Sequence, residues 1–235
     1  MSIFQSLNLN CPNCAKPVAF DAVYSVNADR RSDLRKAILE RKFQRKTCQD
    51  CGTSFRLDPG FIYIDLKRGQ WVAAHPVTGL DDWQAREASV RVLFDDSYGA
   101  QAPKAVRAMG ARMKPRLVFG WPALREKIVA NEAGLDDAAL ELLKMVVMRN
   151  AQGAPFDASA SIRLLLAQPK RLLLGWERNF DDVMGAARWV ERSLYDEVVA
   201  EVALGADGDW AEALAAFDAA LFVDVDRLLV LQDSR

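Results

Sequence analysis

Apolar residues alternate with polar ones in short stretches over the first 75 positions and then recur at helical spacing. Pro17–Val26 holds Val18, Phe20, Val23 and Val26 in short alternation and predicts a strand. Ser32–Phe43 puts Leu34, Ile38 and Leu39 on one face and Arg35, Lys36, Arg41 and Lys42 outside. This predicts a helix, with Ser32 or Asp33 placed to accept an orphan backbone N–H at its start. Phe61–Leu66 and Gln70–Ala74 predict a hairpin around Lys67-Arg68-Gly69, with Ile62 and Ile64 on one side and Phe61, Tyr63 and Asp65 on the other.

His75-Pro76-Val77-Thr78-Gly79 marks a break, after which the period is mainly helical. Helices are expected at Asp81–Tyr98, Lys104–Met113, Pro122–Asn131 and Leu135–Met148, with a short strand at Arg116–Trp121. Ser161–Ala167 and Arg171–Trp176 flank Gln168-Pro169-Lys170 and predict a second hairpin. In Asp181–Val202 the residues Val183, Ala187, Val190, Leu194, Val198 and Val202 recur every three or four positions, the clearest amphipathic helix by pattern. A helix at Asp209–Phe217, a strand at Ala220–Val225 and a terminal helical turn at Arg227–Leu231 complete the expectation.

Composition changes this picture little. The 235 residues are 51% hydrophobic and 27% charged, as in an ordinary soluble globular protein. The net charge of −1 gives no bulk attraction to nucleic acid or membrane. Its distribution is uneven: residues 1–75 carry twelve Lys and Arg against seven Asp and Glu, and residues 181–226 carry twelve acids against two arginines. A basic head and an acidic tail attract each other within a chain or between chains, unless both are simply solvated faces. The segment Met1–Asn10 lacks the basic and apolar regions of a signal peptide, and no apolar run approaches the ~18–20 residues of a membrane span. A cytoplasmic location is therefore expected, with no membrane association.

The four cysteines form two C-x-x-C pairs, Cys11-Pro12-Asn13-Cys14 and Cys48-Gln49-Asp50-Cys51, separated by thirty-three residues. Two intervening residues let both thiolates of a pair reach one ion from a tight turn, and a second pair completes a tetrahedron. Zn2+ held by Cys11, Cys14, Cys48 and Cys51 is the expected cofactor, with iron or thiol redox chemistry as alternatives. Four thiolates fill zinc's coordination shell, so the role expected for the ion is structural and not catalytic.

With this motif in view, the chain resembles the bacterial CpXC family, named for its two cysteine pairs. Three stretches carry the resemblance. The first is Cys11-Pro12-Asn13-Cys14 with Ser25-Val26-Asn27-Ala28 and Leu34–Leu39. The second is Cys48-Gln49-Asp50-Cys51-Gly52 with the apolar run ending at Asp65. The third is Arg116-Leu117-Val118, Glu126-Lys127-Ile128, Gly134-Leu135-Asp136-Asp137 and Glu141-Leu142-Leu143-Lys144. Gln49 stands where the family usually has proline, which costs turn rigidity and removes no ligand. The resemblance implies a zinc-ribbon-like N-terminal domain and a mixed remainder, and no established activity.

Other candidates are weaker. His75 is the sole histidine and excludes sites that need two, such as H-E-x-x-H. Three of the four Asp-Asp pairs, Asp81-Asp82, Asp136-Asp137 and Asp181-Asp182, precede expected helices, where capping accounts for them; the fourth is Asp95-Asp96. Arg30–Lys46 concentrates Arg30, Arg31, Arg35, Lys36, Arg41, Lys42, Arg45 and Lys46, a solvated face or a phosphate-contacting one, but only Phe43 offers base stacking. Lys104, Arg107, Arg112, Lys114 and Arg116 form a second basic cluster of the same kind. The six tryptophans read as core or interface anchors.

The expectation is an α+β protein with a zinc-ribbon-like domain over residues 1–80 and a mixed, helix-rich domain over residues 81–235. Its expected role is non-catalytic: protein interaction or scaffolding, through a protein partner or self-association. Nucleic-acid binding by Arg31, Arg35, Lys36, Arg41, Lys42, Arg45 and Lys46 is the alternative, and an enzyme built on scattered carboxylates a third reading.

Overall fold

A computed structural model describes residues 2–58, 60–150, 160–179, 182–205, 209–217 and 219–227. It is an α+β protein in which a five-stranded mixed sheet and a three-stranded antiparallel sheet share a set of helices.

The larger sheet is ordered β1 (Ile3–Asn10), β2 (Pro17–Asn27), β5 (Phe61–Asp65), β6 (Gln70–His75), β7 (Lys114–Phe119). Its β1/β2 and β5/β6 pairs are antiparallel, and β2/β5 and β6/β7 are parallel. Each parallel pair needs a crossover. The first contains α1 (Ser32–Leu39) and the small hairpin of β3 (Arg45–Thr47) and β4 (Ser54–Arg56); the second contains α2 (Trp83–Tyr98) and α3 (Lys104–Gly110). Both faces of the sheet are covered, so β6 is buried from Gln70 to Ala74 with no polar-out alternation. On one face Val26, Tyr63, Val72 and Val118 pack under Ile38, Leu124 and Ile128. There Phe43, Phe61 and Trp121 meet edge to face in a triangle with centroids 5.3–5.4 Å apart. On the other face Trp71, Ala73, Leu117 and Phe119 pack under Trp83, Val90, Leu221 and Phe222.

The sheet passes straight through the boundary read at residue 80: β7 follows that boundary and pairs with β6, which precedes it. From β7 the chain turns at Gly120, with φ of 80°, into α4 (Gly120–Glu132). A Cβ at Gly120 would stand 2.7 Å from Val77 Cγ2, so the position excludes larger residues on two grounds. Helix α4 and α5 (Asp137–Asn150) then pack on β8 (Ser161–Ala167), β9 (Arg171–Asn179) and β10 (Asp182–Glu191), followed by α6 (Arg192–Gly205) and α7 (Asp209–Phe217).

The long helix expected over Asp181–Val202 does not form. Residues Asp182–Glu191 are β10, paired antiparallel to β9, and the helix starts only at Arg192. Gly185, Ala186 and Ala187 fall where the β10/β9 register is irregular, between Met184 and Arg188. The alanines favour helix by propensity, but pairing of Arg188 with Leu174 and of Val190 with Leu172 on β9 overrides the helical period. Ala220–Val225, expected as a strand, is an irregular strap with Leu221–Val225 buried, and a helical turn begins at Val225. Residues 228–231 of the expected terminal turn lie outside the described residues. Neither Ser32 nor Asp33 caps α1; Arg31 occupies the cap position without a side-chain bond. No helix among the described residues is long and apolar enough to cross a membrane.

Between the two sheets lies a buried ionic network. Lys144 on α5 is fully buried and donates to Glu126 of α4 at 2.7 Å and to Glu141 at 2.9 Å. Glu126 also accepts the backbone N–H of Leu164 and the guanidinium of Arg163. Arg163 reaches on to Asp224 and Asp226 of the strap. Lys127 donates to the Val223 carbonyl at 2.6 Å, and Glu141 accepts the N–H of Val225. Every strand of this net ties the strap, α4, α5 and β8 together. Burial alone would depress the Lys144 ammonium, but Glu126 and Glu141 raise it above its ordinary range.

Lys144→Met should cost about 3–5 kcal/mol in urea unfolding, since it strands two buried carboxylates. Burial, against the pull of Lys144, pushes Glu141 up to about 7. The folded chain therefore keeps a proton that the unfolded chain releases from the usual glutamate range upward. That contribution is complete at low pH and fades as pH rises towards about 7. Comparing the wild type with Glu141→Gln from about pH 5 to about pH 8 should show this decline in the wild type alone.

Candidate metal centre

The two C-x-x-C pairs occupy hairpin turns. Cys11 and Cys14 lie in the connection from β1 to β2, and Cys48 and Cys51 in the connection from β3 to β4. The turns are built alike. The carbonyl of Cys11 accepts the N–H of Ala15 and that of Cys48 accepts the N–H of Gly52. The N–H of Cys11 donates to Lys16 and that of Cys48 to Thr53, five residues on in each case. Both turns then require a left-handed residue at the same place, Ala15 with φ of 57° and Gly52 with φ of 72°. Val18 and Phe55 pack against the sulfurs from the adjoining strands.

Facing each other, the turns bring all four sulfurs within 4.8 Å of one another. Cys11 and Cys51 are 3.6 Å apart and Cys14 and Cys48 3.7 Å. A tetrahedron with metal–sulfur bonds of about 2.3 Å has edges of about 3.8 Å, so the cluster matches a four-sulfur metal site. All four cysteines are free thiols, and both pairs sit on β-turns and not at the helix N-terminus of a redox C-x-x-C.

Electrostatics within the cluster are uneven. Hydrogen bonds from the Thr53 hydroxyl and backbone, and from Asn13, bring Cys51 down to about 6. At Cys14 the Lys16 N–H favours the thiolate, but burial and hydrogen bonding with the other three sulfurs push the thiol up to about 12. Four sulfurs this close ionise together only around a cation. Filled by four thiolates, a tetrahedral ion would keep no position for water or substrate and would fasten the two hairpins to each other.

The basic run does not gather into one surface. Arg31 pairs with Asp33 at 2.7 Å. Arg35 is nearly buried, 3.1 Å from Glu132 and 3.8 Å from Asp65. Arg41 reaches Glu177 of β9. Lys36 and Lys42 share Glu40 at 3.6 and 2.9 Å. Arg45 and Lys46 are exposed on β3. In the second cluster Lys114 and Arg116 bind Asp137. Asp136 caps α5 by accepting the N–H groups of Ala138 and Ala139, as its position implies, whereas Asp137 enters the buried network. Asp82 makes no cap bond, and Asp182 begins a strand, so helix capping explains neither. His75 stands half-buried beside Phe119. Trp71, Trp83, Trp121 and Trp176 are core residues, while Trp189 is exposed and stacked under Arg171 at 4.1 Å.

Gly52→Ala should fold and keep its metal at a cost of about 1 kcal/mol, because a Cβ there meets nothing within 4 Å and Ala15 already tolerates the same backbone. Loss of metal stoichiometry in that variant would mean that the two turns are not equivalent.

The model of the CpXC protein family matches the chain over residues 9–144, from just before Cys11 to Lys144. Neither a curated protein nor a solved structure matches it. The matched segment holds both cysteine turns, the whole sheet from β2 to β7, and the Glu126, Glu141 and Lys144 charges of the core. The chain belongs to the CpXC family.

Proposed function

We propose that the protein is a zinc-binding, non-catalytic scaffolding protein of the cytoplasm that associates through the sheet edge its metal site supports. The observation that carries this reading is the closed four-sulfur cluster, with all its donors within 4.8 Å, at the root of β1. Zinc suits it better than iron because a reducing, purely structural site gains nothing from a redox metal. Free thiols agree with a reducing compartment.

β1 forms one edge of the five-stranded sheet and reads Ile-Phe-Gln-Ser-Leu-Asn-Leu-Asn, without a charge or a proline. Ile3 and Phe4 are exposed on it. Edge strands are normally blunted by lysine, proline or cover; β1 itself supplies no charge or proline, and Arg31 stands 5.1 Å over its Phe4 ring. The other edge, β7, is bridged by the strap through Leu117 N–H to the Leu221 carbonyl. Two copies of an uncharged strand lie antiparallel with no like charges opposed, so the partner in this reading is a second copy of the chain. Nucleic-acid contact has less support, since Arg35 and Arg41 are engaged by Glu132 and Glu177.

Native mass spectrometry of freshly purified, colourless protein should give one zinc per chain and a dimer. Phe4→Lys combined with Asn8→Lys should leave the zinc in place and abolish the dimer. A folded, metal-free chain with four reduced thiols would remove the zinc half of the reading. A zinc-loaded monomer at every concentration would remove the self-association half. Copurified nucleic acid released steeply by salt would instead favour the basic run.

A further inference from the structure

On the face of the sheet away from α4, the first turns of α2 and the C-terminal strap enclose an open cleft of about 430 Å³. Trp83, Gln84, Glu87, Arg91 and Arg227 line it. Its volume lies in the range of small-molecule sites.

The chemistry of the lining is one-sided. Trp83 is 5% exposed, yet among the described residues its indole Nε1–H has no hydrogen-bond partner, and neither does the buried Nε–H of Arg227. A buried donor left unpaired is rare in a folded protein and marks a place where an acceptor belongs. Glu87, the carboxylate among the described lining residues, is already taken. Glu87 Oε1 accepts the N–H groups of Leu221 and Phe222, and Glu87 Oε2 accepts Arg227 Nη1 at 2.9 Å. Arg91 donates to the Ala219 carbonyl and stands 3.8 Å from Glu87, half exposed at the rim. Among the described lining residues two guanidiniums face one carboxylate, a formal excess of one positive charge. Arg227 also stacks on the Trp83 ring at 4.1 Å, which holds both unpaired donors in fixed relation.

We propose that this cleft binds a small molecule through an oxyanion group, a carboxylate or a phosphate, received by Trp83 Nε1, Arg227 Nε and the Arg91 guanidinium. The site shares no residue with the cysteine cluster, so it adds a ligand to the scaffold and does not depend on the identity of the metal.

Isothermal titration of the full chain with inorganic phosphate and with acetate, at matched ionic strength in chloride, tests it. Trp83→Phe keeps a ring beneath Arg227 and removes only the N–H. Arg91→Gln removes a charge at the half-exposed rim, and its urea unfolding is compared with that of the wild type so that loss of the Ala219 bond is separated from loss of ligand contact. Each should weaken binding about tenfold, the loss of one charge-assisted bond. Phosphate binding that both variants weaken, with acetate silent, assigns the cleft to phosphate-bearing ligands, and the converse assigns it to carboxylates. No binding of either probe below about 10 mM, weaker than a charge-assisted site should give, overturns the proposal. So does binding of equal strength in Arg91→Gln and the wild type.

Discussion

An ammonium group cannot be left alone in a protein interior, and the fold of this chain is arranged around that constraint at Lys144. Glu126 and Glu141 close on it from α4 and α5, and their spare oxygens accept backbone N–H groups of β8 and the strap. Arg163 repeats the arrangement with Asp224 and Asp226. Such charges add little net stability compared with an apolar core of the same volume. What they supply here is registration: an apolar slab lets helices slide, whereas a carboxylate that must meet one ammonium and one N–H fixes α4, α5, β8 and the strap in a single relation.

The cysteine turns solve a different problem. The hairpins β1–β2 and β3–β4 are short of apolar cover at their tips, with only Val18 and Phe55 packed beside the sulfurs. A cation held among the four sulfurs would substitute for the missing core. The pairing of Ala15 with Gly52 in the same left-handed position shows that the backbone of the turn, and not the choice of glycine, is what the ligands demand.

How much of this was legible in the sequence depended on what each residue answers to. Both cysteine turns, the hairpin at Phe61–Ala74 and the helices at Trp83–Tyr98 and Asp137–Asn150 follow from local spacing, and the structure has them. The helical period of Val183, Ala187 and Val190 misled, because only the nearby β9 decides that this segment is a strand. The sheet's passage across residue 80 was hidden for the same reason, since β7 pairs with a strand nearly forty residues earlier. Glu141-Leu142-Leu143-Lys144 did carry a signal: two charges inside an otherwise apolar helix face, three positions apart. The local pattern does not say whether such charges face water or each other; their spacing is that of an ion pair in either setting.

The strap gives the order of assembly a direction. Leu117, in the sheet, bonds Leu221; Arg91 bonds a carbonyl 128 residues later, and Glu87 an amide 134 residues later. The contacts that seal the α2 face of the sheet therefore close only when residues 219–222 have left the ribosome. Until then Trp71, Leu117 and Phe119 lack the apolar cover of Leu221 and Phe222. A nascent chain carries both cysteine turns and the sheet well before the strap that covers this face, which makes docking of the strap the step that commits these elements to the folded state.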